Sequence, residues 1–370
     1  MAQTIGISDV RLVASYSWIG TDGAVILVPG MPGTWNQQSV LEEPVLEPDR
    51  GERYIDNNAG RCPKSPAEPL IRAVLHQQPD FDFSNIDLIT DRHTIAALLK
   101  LLGGETDSLQ CMADVAGNTI IFERHESHTK EVITTFVGCR SDFEKHYLTF
   151  PERCQGTASH HRIVTYKLGD VQIMVRHGAD DMIGAQPLYG LPNTDGHQQA
   201  ERHYANLVVR SGGQLVPQES TLELAVKRWK PDRDFYKEKI PQLRVSQTPR
   251  FLVTNPKAHV WSKQPFQRRD KVPRANVTTH DAPEVQRDVA AWEADHQGLI
   301  GDLHSRISQL LQDLRVTTGM TGQTRYRLMY DRTTGKINVV TKNEDCDSRA
   351  ALLTQSSDLF RHLDGGLCAV

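Results

Sequence analysis

The sequence lacks any apolar run approaching the roughly 20 residues a membrane-spanning helix requires. Its first residues, Met1 to Leu12, also lack the basic start and continuous apolar core of a secretory leader. A soluble, intracellular protein with no membrane partner is therefore expected. The six cysteines, Cys62, Cys111, Cys139, Cys154, Cys346 and Cys368, form no close pairs, which excludes a zinc-ribbon pattern and fits reduced thiols. Excess positive charge is missing too: 42 Lys and Arg stand against 46 Asp and Glu, for a net charge of -4. The domain-wide basic footprint of many nucleic-acid binders is absent, so such a partner would need a local basic lining. There is no G-x-S-x-G elbow, and the glycines near residue 30 lack the lysine of a phosphate loop. Serine-hydrolase and nucleoside-triphosphatase readings are therefore poor. Internal repeats and low-complexity tracts are likewise missing.

What is present is 370 residues, 38% hydrophobic and 24% charged, enough for a substantial core. Strand-like and helix-like patterns alternate. Leu12 to Trp18 and Ala24 to Val28 read as extended, and the Pro- and Gly-rich segment Pro29 to Gly33 breaks them. Thr90-Asp91 is placed to cap a helix whose apolar residues Ile95, Leu98, Leu99 and Leu102 follow helical spacing and stop at Gly103-Gly104. Hairpins are expected at Met112 to Glu123, turned by Gly117-Asn118, and at Ile163 to Val175, turned by Gly169-Asp170. Phe143 and Tyr147 predict a short helix carrying Glu144. Gln186 to Glu201, rich in Pro, Gly, Asn and Gln, reads as a mobile insertion. From Pro283 to Val316 an apolar stripe through Val285, Val289, Trp292, Leu299, Leu303, Ile307, Leu310 and Leu314 predicts one long packing helix. Arg325 to Val340 reads as a hairpin turned at Thr334-Gly335, and Asp345 to Val370 as a loosely held tail. The expected organisation is one large domain over residues 1–320 with the insertion at 186–201, followed by the hairpin and tail at 321–370.

Two segments carry the chemistry. In Val171 to Asp181, alternation places Val171, Ile173 and Val175 on one face and Gln172, Met174, Arg176, Gly178 and Asp180 on the other. In Leu222 to Lys227, Glu223, Ala225 and Lys227 share a face. Together the segments resemble the carboxylate strands of a PD-(D/E)xK metal-dependent nuclease, in which carboxylates hold Mg²⁺ or Mn²⁺ and a lysine steadies the attacking water. Gly178 and Ala225 stand where the first carboxylate and the lysine belong. Losing one such electrostatic group costs on the order of 10² to 10³ in turnover, and Lys227 is the replacement available on the same face. Carboxylates at strand ends also serve as solvated or capping groups, and E-x-x-x-K alone has little specificity. Basic side chains to line a cleft are available in Arg244, Arg250, Lys257, Lys263 and the run Arg268 to Arg274, which equally suits a solvated loop. His125-Glu126-Ser127-His128 has its histidines three apart rather than the four of H-E-x-x-H. His160-His161 are adjacent at the start of a strand, so they face opposite sides and do not converge on one ligand.

A series of ordered matches points to a family. Tyr16-Ser17-Trp18, Val28-Pro29-Gly30, Tyr54 to Ala59, Ser65 to Arg72, Thr90-Asp91-Arg92, Asp142 to Lys145, His160 to Ile163 and Ser246 to Pro249 resemble a group of fungal proteins often labelled geranylgeranyl pyrophosphate synthetases. That label lacks chemical support, because no D-D-x-x-D segment is present. More remotely, the order of features is similar to the DXO-type decapping exonucleases. That resemblance implies an α/β (α+β) fold, a single large domain around a mixed sheet of the PD-(D/E)xK kind. It puts Glu144 on the family's helix glutamate, Asp180 on the aspartate of E-x-D, Glu223 on the glutamate of E-x-K and Gln247 on its later glutamine. Thr90-Asp91-Arg92 and the Leu-rich helix after it fall where that family has its Arg-led helix.

The resemblance implies a metal set of Glu144, Asp180 and Glu223 for Mg²⁺ or Mn²⁺, weakened by Gly178 and Ala225. Gln247 and Lys227 join the catalytic candidates, and Arg92, Arg176 and Arg244 the substrate-binding ones. The leading expectation is an RNA 5′-end processing protein with an impaired metal site, a pseudoenzyme among nucleases. The alternatives are an active nuclease that uses Lys227, and a noncatalytic scaffold that docks a protein partner or RNA on the Pro283 to Val316 helix and the basic loop.

Overall fold

The computed structural model describes residues 4–20, 23–36, 47–106, 108–126, 128–133, 138–179, 181–182, 201–226, 234–255 and 276–341. The insertion at 186–201, apart from Glu201, lies outside the described residues, as do the run Arg268 to Arg274 and the tail from Asp345. The chain opens with β1 (Ile7–Ile19), β2 (Val25–Gly30), β3 (Gly33–Trp35) and β4 (Gly51–Tyr54). Helices α1 (Asn57–Arg61) and α2 (Glu68–Gln77) follow, then β5 (Leu88–Asp91) and α3 (Arg92–Leu102). Next come β6 (Gln110–Ala116), β7 (Thr119–Arg124), β8 (Lys130–Ile133), α4 (Arg140–Tyr147) and β9 (Leu148–Thr149). The hairpin β10 (Thr157–Leu168) and β11 (Val171–Gly178) leads to β12 (Asp181–Met182), β13 (Glu201–His203), β14 (Val208–Gly213) and β15 (Thr221–Val226). The remainder is α5 (Phe235–Ser246), β16 (Arg250–Asn255), β17 (Asn276–His280), α6 (Ala282–Asp295), α7 (Gln297–Thr321), β18 (Arg325–Asp331) and β19 (Lys336–Thr341).

Among the described residues the strands form a large mixed sheet in the order β13-β14-β2-β1-β10-β11-β5-β7-β6-β18-β19 and a second sheet in the order β17-β16-β15-β12-β3-β9. Alternation along β11 sorts its residues as the pattern requires. Val171, Ile173 and Val175 pack with Ile95 and Leu98 of α3 and Ile300, Leu303 and Ile307 of α7. Met174 packs on the opposite face with Leu70, Ile71 and Val74 of α2. The second sheet is clad in the same way, with Leu222 and Leu224 of β15 against Phe143 and Tyr147 of α4. Ala225 belongs to the cluster of Tyr236, Ile240 and Leu243 of α5 with Phe251 and Val253 of β16.

Three details differ from the sequence expectation. Asp91 stands at the N-cap position of α3 with extended backbone but makes no side-chain cap bond, because its carboxylate goes to Arg176 instead. The long helix expected from Pro283 is two helices parted at His296 (φ -118, ψ 25). The break lets Val285 serve the α5 cluster while Ile300, Leu303 and Ile307 serve the large-sheet core. That stripe is committed to the interior, in two different clusters. Finally, the hairpin at 325–341 pairs through β18 with β6 and buries Tyr326 and Leu328 in the same core, so it continues the large sheet.

The Pro29-Gly30-Met31 turn folds back over β1. Gly30 has φ +64, and a Cβ there would lie 2.4 Å from Ser17 Oγ and 2.6 Å from Ser17 N. Ser15 Oγ donates to Pro29 O, and Met31 N–H donates to Ser17 Oγ. Gly30→Ala should therefore destabilise the protein by about 2 kcal/mol or more, the left-handed backbone adding to the clash. Urea unfolding measures this, and a change under about 0.5 kcal/mol, the size of a neutral surface substitution, would show that the turn does not constrain β1.

Candidate functional site

Strand β11 ends at Gly178, and within three residues the chain has passed from the large sheet into the second one. There Asp181 pairs with Leu222 of β15 and with Gly33 of β3. This crossover brings the end of the E-x-D-like strand beside the E-x-K-like strand. Asp180 and Lys227 themselves lie outside the described residues. A cavity of about 390 Å³ opens where the strand ends, lined among others by Gly178, Glu144, Arg140, Tyr54, His160 and His161. A Cβ on Gly178 would meet nothing closer than His160 O at 4.0 Å, so the absent carboxylate leaves open space.

Glu223 lies in the interior, its side chain 5% exposed. One carboxylate oxygen accepts from Arg92 Nη1 at 2.6 Å and the other from Lys239 Nζ at 2.9 Å. Burial alone would raise its pKa, but Arg92 and Lys239 override that and hold the carboxyl far below the usual range. A carboxylate with a cation on each oxygen has little left to offer a metal ion. Lys239 escaped the sequence reading, which sought the missing lysine on the strand. Its signal was a lysine on the buried stripe of a helix: Tyr236, Lys239, Ile240 and Leu243 fall at i, i+3, i+4 and i+7. Its Nζ also donates to Gln242 Oε1.

The other candidates separate. Glu144 lines the cavity, and its Oε1 accepts from Arg140 Nε at 2.6 Å. Arg92 faces Glu223 rather than open space. Arg176 is a structural residue: it is buried, forks onto both oxygens of Asp91 at 2.6 and 2.9 Å, and donates to Pro66 O. Arg244, expected to bind substrate, is 2% exposed, pairs with Glu293 at 2.5 Å and faces the Trp292 ring, so it joins α5 to α6. Gln247 ends α5 in the left-handed region at φ 54, where its own Nε2 donates to Arg244 O and its O accepts from Gln218 Nε2. As expected, His160 and His161 diverge. His160 Nδ1 meets Ser17 Oγ at 2.9 Å, and His161 stacks on Tyr16.

A family model described as a domain of unknown function, DUF8563, matches residues 4–352. The chain belongs to the DUF8563 family. No curated protein matches it. Among solved structures, S. pombe Rai1 is similar with a TM-score of 0.55 at 11% identity, over 92% of this chain and 96% of that one. K. lactis Dxo1 in complex with manganese gives 0.53 at 11%, covering 94% of each chain. Candida albicans Rai1 in complex with pU5 and Mn²⁺ gives 0.51 at 10%, over 95% and 92%. These likenesses bear out the mixed α/β, DXO-like fold.

In this DUF8563 protein the described residues do not fit a divalent ion well. Gly178 offers no donor, Ala225 sits in an apolar cluster, Glu223 is held by two cations and Glu144 by Arg140. Among the described residues, no group of three or more His, Cys, Asp or Glu is placed to share one. No helix among them is long and apolar enough to cross a membrane.

Glu223→Gln should cost the DUF8563 fold about 2–4 kcal/mol, because it strips the counter-charge from two partly buried cations. The stabilisation is complete above the unfolded glutamate pKa of about 4.3, and it is lost only as pH falls through the depressed folded value. Chemical denaturation near neutral pH checks this, and an unchanged midpoint would contradict it. Reinstating the nuclease residues should split. Gly178→Glu should fold normally, whereas Ala225→Lys should lose more than about 2 kcal/mol by forcing a long charged chain among Tyr236, Leu243 and Phe251. Equal stability of the two variants would refute that assignment.

Proposed function

We propose that this protein recognises RNA 5′ ends in the cavity at the end of β11 and has given up most or all of their hydrolysis. The observation that carries the reading is the double pairing of Glu223: the glutamate corresponding to E-x-K is bound by Arg92 and Lys239. In a working site of this class, carboxylates hold the ion that activates water and neutralises developing phosphate charge. Here the charge balance is reversed, with cations quenching the carboxylate. Any Mg²⁺ or Mn²⁺ would be held weakly, because Glu223 and Glu144 must first be released from their ion pairs. The fold shared with Rai1 and Dxo1 supports the substrate class, as does pU5 in the Candida albicans protein.

The test incubates the purified chain with capped, triphosphorylated, monophosphorylated and 5′-hydroxyl RNA in Mn²⁺, scoring both binding and product. The expected result is binding that depends on the 5′ end, without product. Product that disappears in Glu223→Ala would overturn the loss of catalysis, and absence of binding to every RNA would overturn the substrate class.

A further inference from the structure

The β10–β11 hairpin carries three residues that the nuclease comparison does not use. Arg162 and His177 are direct cross-strand partners, and His160 lies two residues before Arg162, so all three share one face. Their exposures are 0% for Arg162, 3% for His177 and 7% for His160. Each has one nitrogen with no partner: Arg162 Nη1, His177 Nε2 and His160 Nε2. Arg162 is otherwise held by neutral groups, with Nε donating to Gln218 Oε1 at 3.1 Å and Nη2 to Val216 O at 2.6 Å. A buried guanidinium hydrogen-bonded only to neutral groups, with the Glu219 carboxylate near but not bonded to it, is costly, and each unpaired buried nitrogen adds to the cost.

The hydrogen positions follow from the neighbours. Ser17 Oγ accepts the Met31 N–H at 3.2 Å and faces two acceptors for its own proton, His160 Nδ1 at 2.9 Å and Met31 O at 3.4 Å; we assign the proton to the nearer one, His160 Nδ1. The ring proton of His160 then sits on Nε2, a donor without an acceptor. His177 Nδ1 faces Gly178 O at 3.2 Å and must donate to it, which leaves Nε2 of the neutral ring as an acceptor without a donor. Burial, with Arg92 and Arg162 nearby, lowers His177 to about 3 and keeps it neutral. The face therefore offers two donors, one of them cationic, and one acceptor. An internal phosphodiester or a sulfate ion brings acceptors and negative charge but no O–H near neutral pH. A terminal phosphate monoester, whose second pKa is about 6, brings both.

We propose that His160, Arg162 and His177 form a binding site for a terminal phosphate monoester, reached past His160, the one of the three that lines the 390 Å³ cavity, with Arg162 and His177 behind it. Two phosphate oxygens accept from His160 Nε2 and Arg162 Nη1, and the remaining proton is shared with His177 Nε2. The identification of that phosphate as the 5′ end of RNA rests on the reading above, whereas the site itself does not.

The test is thermal unfolding of the full chain in inorganic phosphate, sulfate and chloride at matched ionic strength near neutral pH, for wild type, Arg162→Met and His177→Phe. A ligand that binds only the folded state raises the midpoint saturably. The expected result is such a rise in phosphate, with sulfate weaker by about tenfold or more in apparent affinity, the size of one unmet buried hydrogen bond. Arg162→Met should abolish the rise, and His177→Phe should abolish the preference over sulfate. Should Arg162→Met fail to fold, His177→Phe decides alone. Equal wild-type midpoints in phosphate and chloride, or a phosphate preference that survives His177→Phe, overturns the proposal. Oligoribonucleotides with 5′-phosphate or 5′-hydroxyl ends separate it from the RNA reading. A 5′-phosphate preference that survives both substitutions overturns this site alone, and a phosphate response without oligonucleotide binding supports the site while overturning the RNA reading.

Discussion

The Arg92–Glu223–Lys239 ion pair is the contact on which the rest of the site depends. Arg92 opens α3 beside the large sheet, Glu223 belongs to the second sheet, and Lys239 comes from α5. One carboxylate therefore ties three elements together. Its neighbour in sequence completes the joint, because Asp91, one residue before Arg92, grips Arg176 of β11. At the junction of β5 and α3, consecutive residues thus clamp the central strand on one side and the second sheet on the other. Taking such charges out of water is expensive, and the arrangement holds only because both oxygens of each carboxylate are occupied by cationic donors.

This clamp changes what the crossover from β11 to β12 delivers. In a metal-dependent nuclease the meeting of two carboxylate strands would concentrate negative charge for a cation. In this chain Gly178 stands where one carboxylate would be, Glu223 is spent on holding the sheets together, and one buried nitrogen each of His160, Arg162 and His177 on the β10–β11 face is unpaired. On the proposed reading, the described part of the site suits an anion better than a cation. A cavity large enough for a nucleotide remains at the end of β11, so the proposed recognition without hydrolysis is compatible with this fold.

Much of this was legible in the sequence where the signal is local. The two-residue alternation in β11 correctly sorted Ile173 and Val175 from Met174, and the turns at Gly117-Asn118 and Gly169-Asp170 joined the expected hairpins. The spacing of Phe143 and Tyr147 gave the helix that carries Glu144. Illegible were contacts set by tertiary approach. Nothing local tells a capping Asp91 from one that turns to a distant arginine, nor a substrate-binding Arg244 from one that bridges two helices. The stripe from Val285 to Leu314 kept its period across the break at His296, because both halves are buried, only in different cores. Lys239 was overlooked because it supplies its charge from a helix sixteen residues after Glu223.

The most direct measurement is Mn²⁺ titration of the wild type beside Lys239→Ala, followed by the paramagnetic signal of the free ion. If Glu223 is quenched by its two cations, the wild type takes up Mn²⁺ weakly, and removing Lys239 tightens the uptake. Tight, saturable binding by the wild type that Lys239→Ala leaves unchanged would contradict the account, since Glu223 would then have to serve a metal and its ion pairs at once.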